Sequence, residues 1–450
     1  MVTIDKESSV SLAVQIYEAL IEDMKEGHIQ SGDFLPSSRT LAHDLGVSRN
    51  TVNHAYSQLV AEGFVVARPQ NGYQVSDVDL NYLRQEPLEI KDQDIQEVPH
   101  WIYDFSYGSI DQKHFPYREW RKCLSMALDA IEYETIDEQA IQKSLAKYLY
   151  TNRGIKCQPR QIIMTSGHQY SMNLIASLTK RTHCTLAMED PGYTSVRSIF
   201  ERRGFDIADI PVTKEGISVQ ELSRSHAHYA YVTPSHQFPL GHVMTLKHRI
   251  EILKWAKETS AFIIEDDYDS ELRYNTQPIP SLYSLDKTGC VIYTGTFSKI
   301  LSKNLRVGYI VLPPSLLDAY EEIYKDFHGA CSLVITHALS LMIDSGYYSK
   351  HINRMRTLYR QESEKLKDAF YDVFPKRPLL GDDAGLHYLM EITNSEYHKL
   401  SQLKQEGFFI QEASSFFHKN DHPYYLMIGF AHHHDLSYED MLFKLKEVLQ

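Results

Sequence analysis

Val291-Ile292-Tyr293-Thr294-Gly295-Thr296-Phe297-Ser298-Lys299 reads as an apolar strand that runs into a small-residue turn and delivers a lysine beyond its carboxyl end. Open α/β sheets bind ligands at the carboxyl ends of their strands, so the Lys299 amine lies where a small molecule would meet it. Arg306, seven residues on, can turn back to a phosphate dianion, and Thr296 and Ser298 add hydroxyl donors. These residue types suit a phosphate-bearing aldehyde such as pyridoxal 5′-phosphate. That cofactor needs a lysine to form an imine, an anion at its pyridine nitrogen, a phosphate cradle and a ring stack.

The neighbouring sequence supplies candidates for the remaining parts. Ser166-Gly167-His168-Gln169 follows the strand-like Gln161–Thr165 and opens a helix from Tyr170 to about Leu178. Free N–H groups at such a helix start bind phosphate. Asp266 closes the apolar run Phe262–Glu265, where a carboxylate can hold the pyridine nitrogen protonated. Tyr268 can reach the ring hydroxyl, and Tyr193, in Asp190-Pro191-Gly192-Tyr193, can stack on the ring face. Further strand-like runs, Thr185–Met188, Ala230–Thr233 and Val307–Val311, alternate with helical ones such as Leu246–Thr259. The alternation predicts an α/β fold with a mostly parallel sheet covered on both faces, followed by a smaller α+β region from about Glu321.

The amino-terminal stretch has a different rhythm. Leu12, Ile16, Leu20 and Met24 fall on one helical face. Ser37 or Ser38 can cap a second helix, and Ser48 a third that carries Val52, Ala55, Tyr56 and Leu59 on its apolar face. Phe64–Arg68 and Tyr73–Ser76 then read as two strands, with Asn71-Gly72 as a tight-hairpin signal between them. Three helices and a hairpin make a winged helix-turn-helix. A helix that reads base edges needs short polar side chains with cations to seat the backbone, and Ser48-Arg49-Asn50-Thr51, with Asn53, supplies both. Arg39 suits a phosphate or a guanine.

The chain has 450 residues, 43% hydrophobic and 23% charged, with a formal net charge of −13. That length predicts two or three domains, and that charge argues against general adhesion to nucleic acid or membrane. Residues 1–80 hold five cations against eleven acidic residues, but Arg39, Arg49 and Arg68 fall where DNA would lie. The low cation number predicts weak single-site affinity and dimeric binding; protein contact is the other use open to such a winged helix. We read residues 1–77 as the winged helix, 78–100 as an acidic linker and 101–450 as the large domain. Five cysteines without a CxxC pair, no signal-peptide pattern and no membrane-length apolar run predict a soluble cytoplasmic protein. His432-His433-His434-Asp435 lacks a converging ligand set, so no metal is expected.

Leu35-Pro36-Ser37-Ser38-Arg39-Thr40-Leu41-Ala42, with Leu45-Gly46-Val47-Ser48-Arg49-Asn50-Thr51-Val52 and Glu62-Gly63-Phe64, resembles the GntR-type winged helix. The resemblance implies that Arg39, Ser48, Arg49, Asn50, Thr51 and Asn53 face DNA and that Gln70, Asn71 and Gly72 enter the minor groove. Thr165–Gln169, Glu189–Tyr193, Thr233–Gly241, Ile263–Tyr274 and Gly295–Lys299 resemble the fold-type I aminotransferases. The whole chain resembles the MocR-type regulators, which join the two. This implies Lys299 as the imine-forming residue, Asp266 at the pyridine nitrogen, Arg306 at the phosphate, and a head-to-tail homodimer.

Two departures bear on activity. Aminotransferases carry Asn-Pro-x-Gly at the ring hydroxyl, where this chain has Phe238-Pro239-Leu240-Gly241. Leu426-Met427-Ile428-Gly429-Phe430 holds Met427 where the family has an arginine that forks onto a substrate carboxylate. Both count against efficient transamination. The expected function is a regulator that binds an operator in duplex DNA and senses a small amine, an amino compound or the cofactor itself. An active aminotransferase with an appended DNA module, and a large domain serving only as a dimerisation scaffold, are the alternatives.

Overall fold

Leu12–Lys25 forms α1, Ser38–Leu45 α2 and Arg49–Ala61 α3, each begun by a serine that accepts a backbone N–H: Ser11, Ser37 and Ser48. Ile16, Leu20, Met24, Val52, Ala55, Tyr56 and Leu59 bury together as their spacing predicts. The Tyr56 hydroxyl donates to the Pro36 carbonyl at 2.8 Å and so ties α3 to the start of α2. Strands β1 (Val65–Arg68) and β2 (Gly72–Val75) form the wing. The turn falls within the expected Pro69–Gly72 stretch, but its positive φ values do not both sit on Asn71-Gly72 as a tight Asn-Gly turn would have them. Arg68 pairs with Gly72, Asn71 N–H donates to Arg68 at 3.1 Å, and the positive φ values fall on Gln70 and Gly72. Pro69 accounts for this: its fixed φ suits the first corner of a wider turn and it cannot donate in a ladder.

The computed structural model describes residues 2–78 and 101–450, except 109, 111, 134, 138, 180–182, 275–278, 326–328, 382–383, 420–421 and 432–435. The acidic stretch from 79 to 100 and the histidine run 432–435 therefore lie outside the described residues. The chain divides into two compact units, Met1–Val98 and Pro99–Gln450.

In the second unit, β3 (Tyr103–Asp104), α4 (Tyr117–Glu132) and α5 (Ala140–Arg153) precede the main sheet. There follow β4 (Ile162–Thr165), α6 (His168–Leu178), β5 (Thr185–Asp190), α7 (Thr194–Arg202), β6 (Asp206–Thr213), β7 (Gly216–Ile217) and α8 (Val219–Arg224). Next come β8 (Tyr229–Val232), α9 (Leu246–Thr259), β9 (Phe262–Asp267), α10 (Leu282–Leu285), β10 (Val291–Thr296) and β11 (Gly308–Val311). The eight strands lie in the order β4-β11-β10-β9-β8-β5-β6-β7. β11 and the short β7 run against the others. Successive residues bury in different cores: Ile263 and Val291 on one face, Ile264 and Ile292 on the other. That alternation is why these strands read as continuous apolar runs.

The carboxyl-terminal region is α+β, as expected. It contains α11 (Leu317–Tyr324), α12 (Leu333–Asp344), the long α13 (Tyr347–Val373), β12 (Leu379–Leu380), β13 (His387–Ile392), α14 (Asn394–Tyr397) and α15 (Leu400–Gln405). β14 (Phe408–Phe409), β15 (Gln411–Glu412), β16 (Tyr424–Gly429) and α16 (Tyr438–Leu449) complete it. β12, β13, β16 and β15 form a four-stranded antiparallel sheet, whereas β14 pairs with β3. No helix among the described residues is long and apolar enough to cross a membrane.

Candidate functional site

The carboxyl ends of β8, β9 and β10 open into a cavity of about 300 Å³ whose lining includes Lys299, Asp266, Arg306, Thr296 and Ser298. His168, Tyr193 and Tyr268 also line it. Residues more than a hundred positions apart thus meet because neighbouring parallel strands end at one edge.

Asp266 lies inside β9, one residue short of its end, and is buried. The Tyr231 hydroxyl donates to one of its oxygens, and Thr294 Oγ1 donates to the other at 3.0 Å. His168 Nε2 stands 2.9 Å from the first. Asp267, the next residue, belongs to the opposite face: Arg153 Nη2 approaches it at 2.6 Å and the Tyr293 hydroxyl donates to it. Burial alone would raise the Asp267 carboxyl, but Arg153 beside it holds it below the ordinary carboxylate range. Neither aspartate is a solvated loop acid.

Lys299 Nζ donates to the Gly108 carbonyl at 3.0 Å and stands 5.9 Å from the centre of the Tyr107 ring. Burial lowers its pKa from the ordinary lysine value, while Asp269 and Asp266 pull in the opposite direction. Asp269 faces His236 Nδ1 at 2.8 Å, and the Tyr268 hydroxyl donates to the His236 carbonyl at 2.9 Å.

At the other end Gly167, left-handed at φ +98°, is the N-cap of α6. A Cβ there would stand 3.3 Å from Arg306 Cζ, so the guanidinium passes close over the helix start. The free N–H groups of α6 and the Arg306 cation converge, two independent attractions for an anion. Thr296 Oγ1 accepts the Ser298 N–H at 3.1 Å and shapes the turn that leads to Lys299. Ser166 precedes the N-cap and is not among the lining residues.

Sequence reasoning missed Tyr107, Tyr231, Thr233 and Lys303, which also line the cavity. The period-2 alternation of β8 could have signalled Tyr231 and Thr233, because both fall on one face. Nothing local marked Tyr107. Phe238 lines the cavity and packs at ring distances of 5.4 Å from Tyr107, 5.5 Å from Tyr193 and 4.8 Å from Phe416. Met427 is fully buried in the same apolar cluster.

On the first unit, Arg39, Ser48, Arg49, Asn50, Asn71 and Gly72 are exposed, and Thr51 and Asn53 are half-buried. Arg49 Nε donates to Ser38 Oγ at 3.2 Å, which links the starts of α2 and α3. The Ser48 and Thr51 hydroxyls lie 2.8 Å apart, and Ser48 also accepts the Thr51 N–H. Both hydroxyls are therefore engaged in capping, whereas Arg39, Asn50 and the rest of the Arg49 guanidinium are exposed. Among the described residues one group, the half-buried Asp23 with exposed Glu26 and His28, has metal-ligand spacing.

Residues 109–437 match the aminotransferase class I and II family, and residues 12–75 match the bacterial regulatory proteins of the gntR family. The chain is 37% identical over 448 residues to YdeL, an uncharacterized HTH-type transcriptional regulator of Bacillus subtilis, covering 97% of this chain and 96% of the relative. It is 32% identical to MocR, a probable rhizopine catabolism regulatory protein of Rhizobium meliloti, over 81% of this chain and 78% of that protein. A kynurenine aminotransferase of Pyrococcus horikoshii shares the fold at a TM-score of 0.70 and 22% identity, over 83% of this chain and 96% of that one.

Proposed function

The chain belongs to the MocR-type transcriptional regulators, a gntR-family DNA-binding domain joined to an aminotransferase class I and II domain, and from that premise we propose that it holds pyridoxal 5′-phosphate on Lys299 and uses it to sense a small amino compound. It is a DNA-binding regulator. Residues 1–77 would bind the operator duplex through Arg39, Arg49, Asn50 and the wing tip at Asn71-Gly72. Residues 78–100 would be the tether and 101–450 the sensor, acting as a head-to-tail homodimer in the cytoplasm.

One observation carries the cofactor reading: an amine, a buried carboxylate and an arginine at a helix start share a single cavity. The residues fit the group. Gly167 lacks the Cβ that would crowd Arg306, so guanidinium, α6 N–H groups and the Thr296 and Ser298 hydroxyls can take a phosphate dianion. Asp266 offers its carboxylate to the pyridine nitrogen, Tyr268 its hydroxyl to the ring, and Tyr193 its ring face. When bound, the cofactor supplies an aldehyde carbon that Lys299 occupies and that a primary amine can take over. Burial of Lys299 favours its neutral, nucleophilic form. A ligand that replaces Lys299 shifts DNA affinity only if it binds two states of the protein unequally.

Lys299→Ala tests the reading. The protein should lose its visible cofactor band, and DNA binding should persist without responding to cofactor or amine. An unaltered response would favour a dimerisation scaffold. Steady turnover by the unmodified protein with an amino donor and a keto acid, lost in the variant, would favour an aminotransferase.

A further inference from the structure

The cavity at Lys299 has two chemically distinct ends. Its lining cations other than Lys299 are Lys303 and Arg306, both exposed and three residues apart on one segment at the phosphate end. The other end, at Tyr107 and Phe238, is aromatic. Tyr107, Phe238 and Phe416 pack there at ring distances of 5.4, 4.8 and 6.4 Å, with Met427 and Leu389 fully buried in the same cluster.

Among the described residues three arginines are buried, and none of them lines the cavity. Arg153 faces Asp267; Arg249 faces Glu265 and donates to the Met244, Pro234 and Pro280 carbonyls; Arg273 donates to the Ser235 carbonyl. The charged groups that act on the Lys299 amine are acidic: Asp269 and Asp266, both buried. A carboxylate brought against the aromatic end would lose its water, meet no arginine there among the described lining residues and face these acids, all of which oppose its binding. An amine meets the reverse conditions, since acid charge and ring faces both favour a cation on approach.

We propose that the effector of this site is a primary amine without a carboxylate, its uncharged body resting against Tyr107 and Phe238, which line the cavity with Phe416 packed behind them. The inference rests on the reading that Lys299 carries the cofactor.

The test uses the full-length protein loaded with pyridoxal 5′-phosphate and freed of excess by gel filtration. Its visible circular dichroism is titrated with 2-phenylethylamine and with L-phenylalanine, which differ by one carboxylate, and then with isoamylamine and L-leucine. Each amine should move the bound-cofactor band at a concentration on the order of a hundredfold below that of its amino acid. Phe416→Ala should raise the half-saturating 2-phenylethylamine concentration about tenfold and leave that of methylamine unchanged. A band that phenylalanine moves as readily as phenylethylamine, or that no amine moves, overturns the proposal while the cofactor reading stands. Absence of any protein-bound band overturns both.

Discussion

Lys299 Nζ donates to the carbonyl of Gly108 at 3.0 Å, and Gly108 is itself left-handed at φ +67°. A Cβ at position 108 would lie 2.2 Å from that nitrogen. The amine is held by a backbone that approaches it as only glycine permits.

Gly108→Ala should therefore push Nζ from its place and strain the backbone by ~1–3 kcal/mol. Cofactor affinity should fall about tenfold or more, read by equilibrium dialysis of pyridoxal 5′-phosphate, with DNA binding in the absence of effector little changed. Undiminished affinity would mean that the amine reaches the cofactor without this contact.

Asp266 and Asp267 adjoin in sequence and do different work. Asp267→Asn leaves Arg153 buried without its counter-charge, which costs about 3–5 kcal/mol and should lower the thermal midpoint. Asp266→Asn leaves one hydroxyl donating to the amide oxygen and the other able to turn and accept from the amide NH2. It should change stability little, yet weaken cofactor binding at least about tenfold through the lost pyridine-nitrogen partner. Thermal melts and dialysis on the two variants should give opposite rankings; equal effects would refute the division of labour.

Arg49→Ala should weaken specific DNA binding about ten- to a hundredfold while cofactor binding persists. One base-edge contact is worth about 1–3 kcal/mol, and loss of one cation should reduce the salt slope by about one. Mobility shifts at several salt concentrations check this. A variant that also fails to bind cofactor would instead indicate misfolding.

His387 Nε2 meets the Pro239 carbonyl at 3.1 Å inside the protein. Burial, with His236 adding to it, lowers its pKa from 6.5 to about 3. Between those values the unfolded chain binds the proton and the folded chain does not. Stability from this group is complete above about pH 6.5 and is lost, by ~1.4 kcal/mol per pH unit, as pH falls toward 3. His387→Gln keeps an amide donor and removes the titration. Denaturant midpoints at pH 7.5 and 5.5 should show wild type losing more stability than the variant; parallel losses would contradict the sign.

The winged helix was legible almost residue for residue. Helix caps, the α3 core face and both wing strands follow from local rules that operate within a few positions. The wing turn falls where Pro69–Gly72 placed it, with only its dihedral pattern departing from the Asn71-Gly72 signal. Six strands of the large sheet were equally legible, because burial on both faces leaves continuous apolar runs, whereas the half-exposed β6 and the short β7 lack such a run. In the site, Lys299, Asp266 and Arg306 could be named from strand ends and spacing. Tyr107 could not, because its segment carries no pattern of its own.

The order of elements, the lysine after its strand, the capping serines and the absence of an arginine at Met427 are properties of the chain, set by local propensity and composition. Which face each aspartate takes, the closing of Gly108 over Lys299 and the tilted and edge-to-face packing of Tyr107, Phe238 and Phe416 were decided by tertiary structure. The reason is physical: each depends on side chains brought together from separate elements at the edge of a parallel sheet, and sheet order is not encoded in any single stretch of sequence.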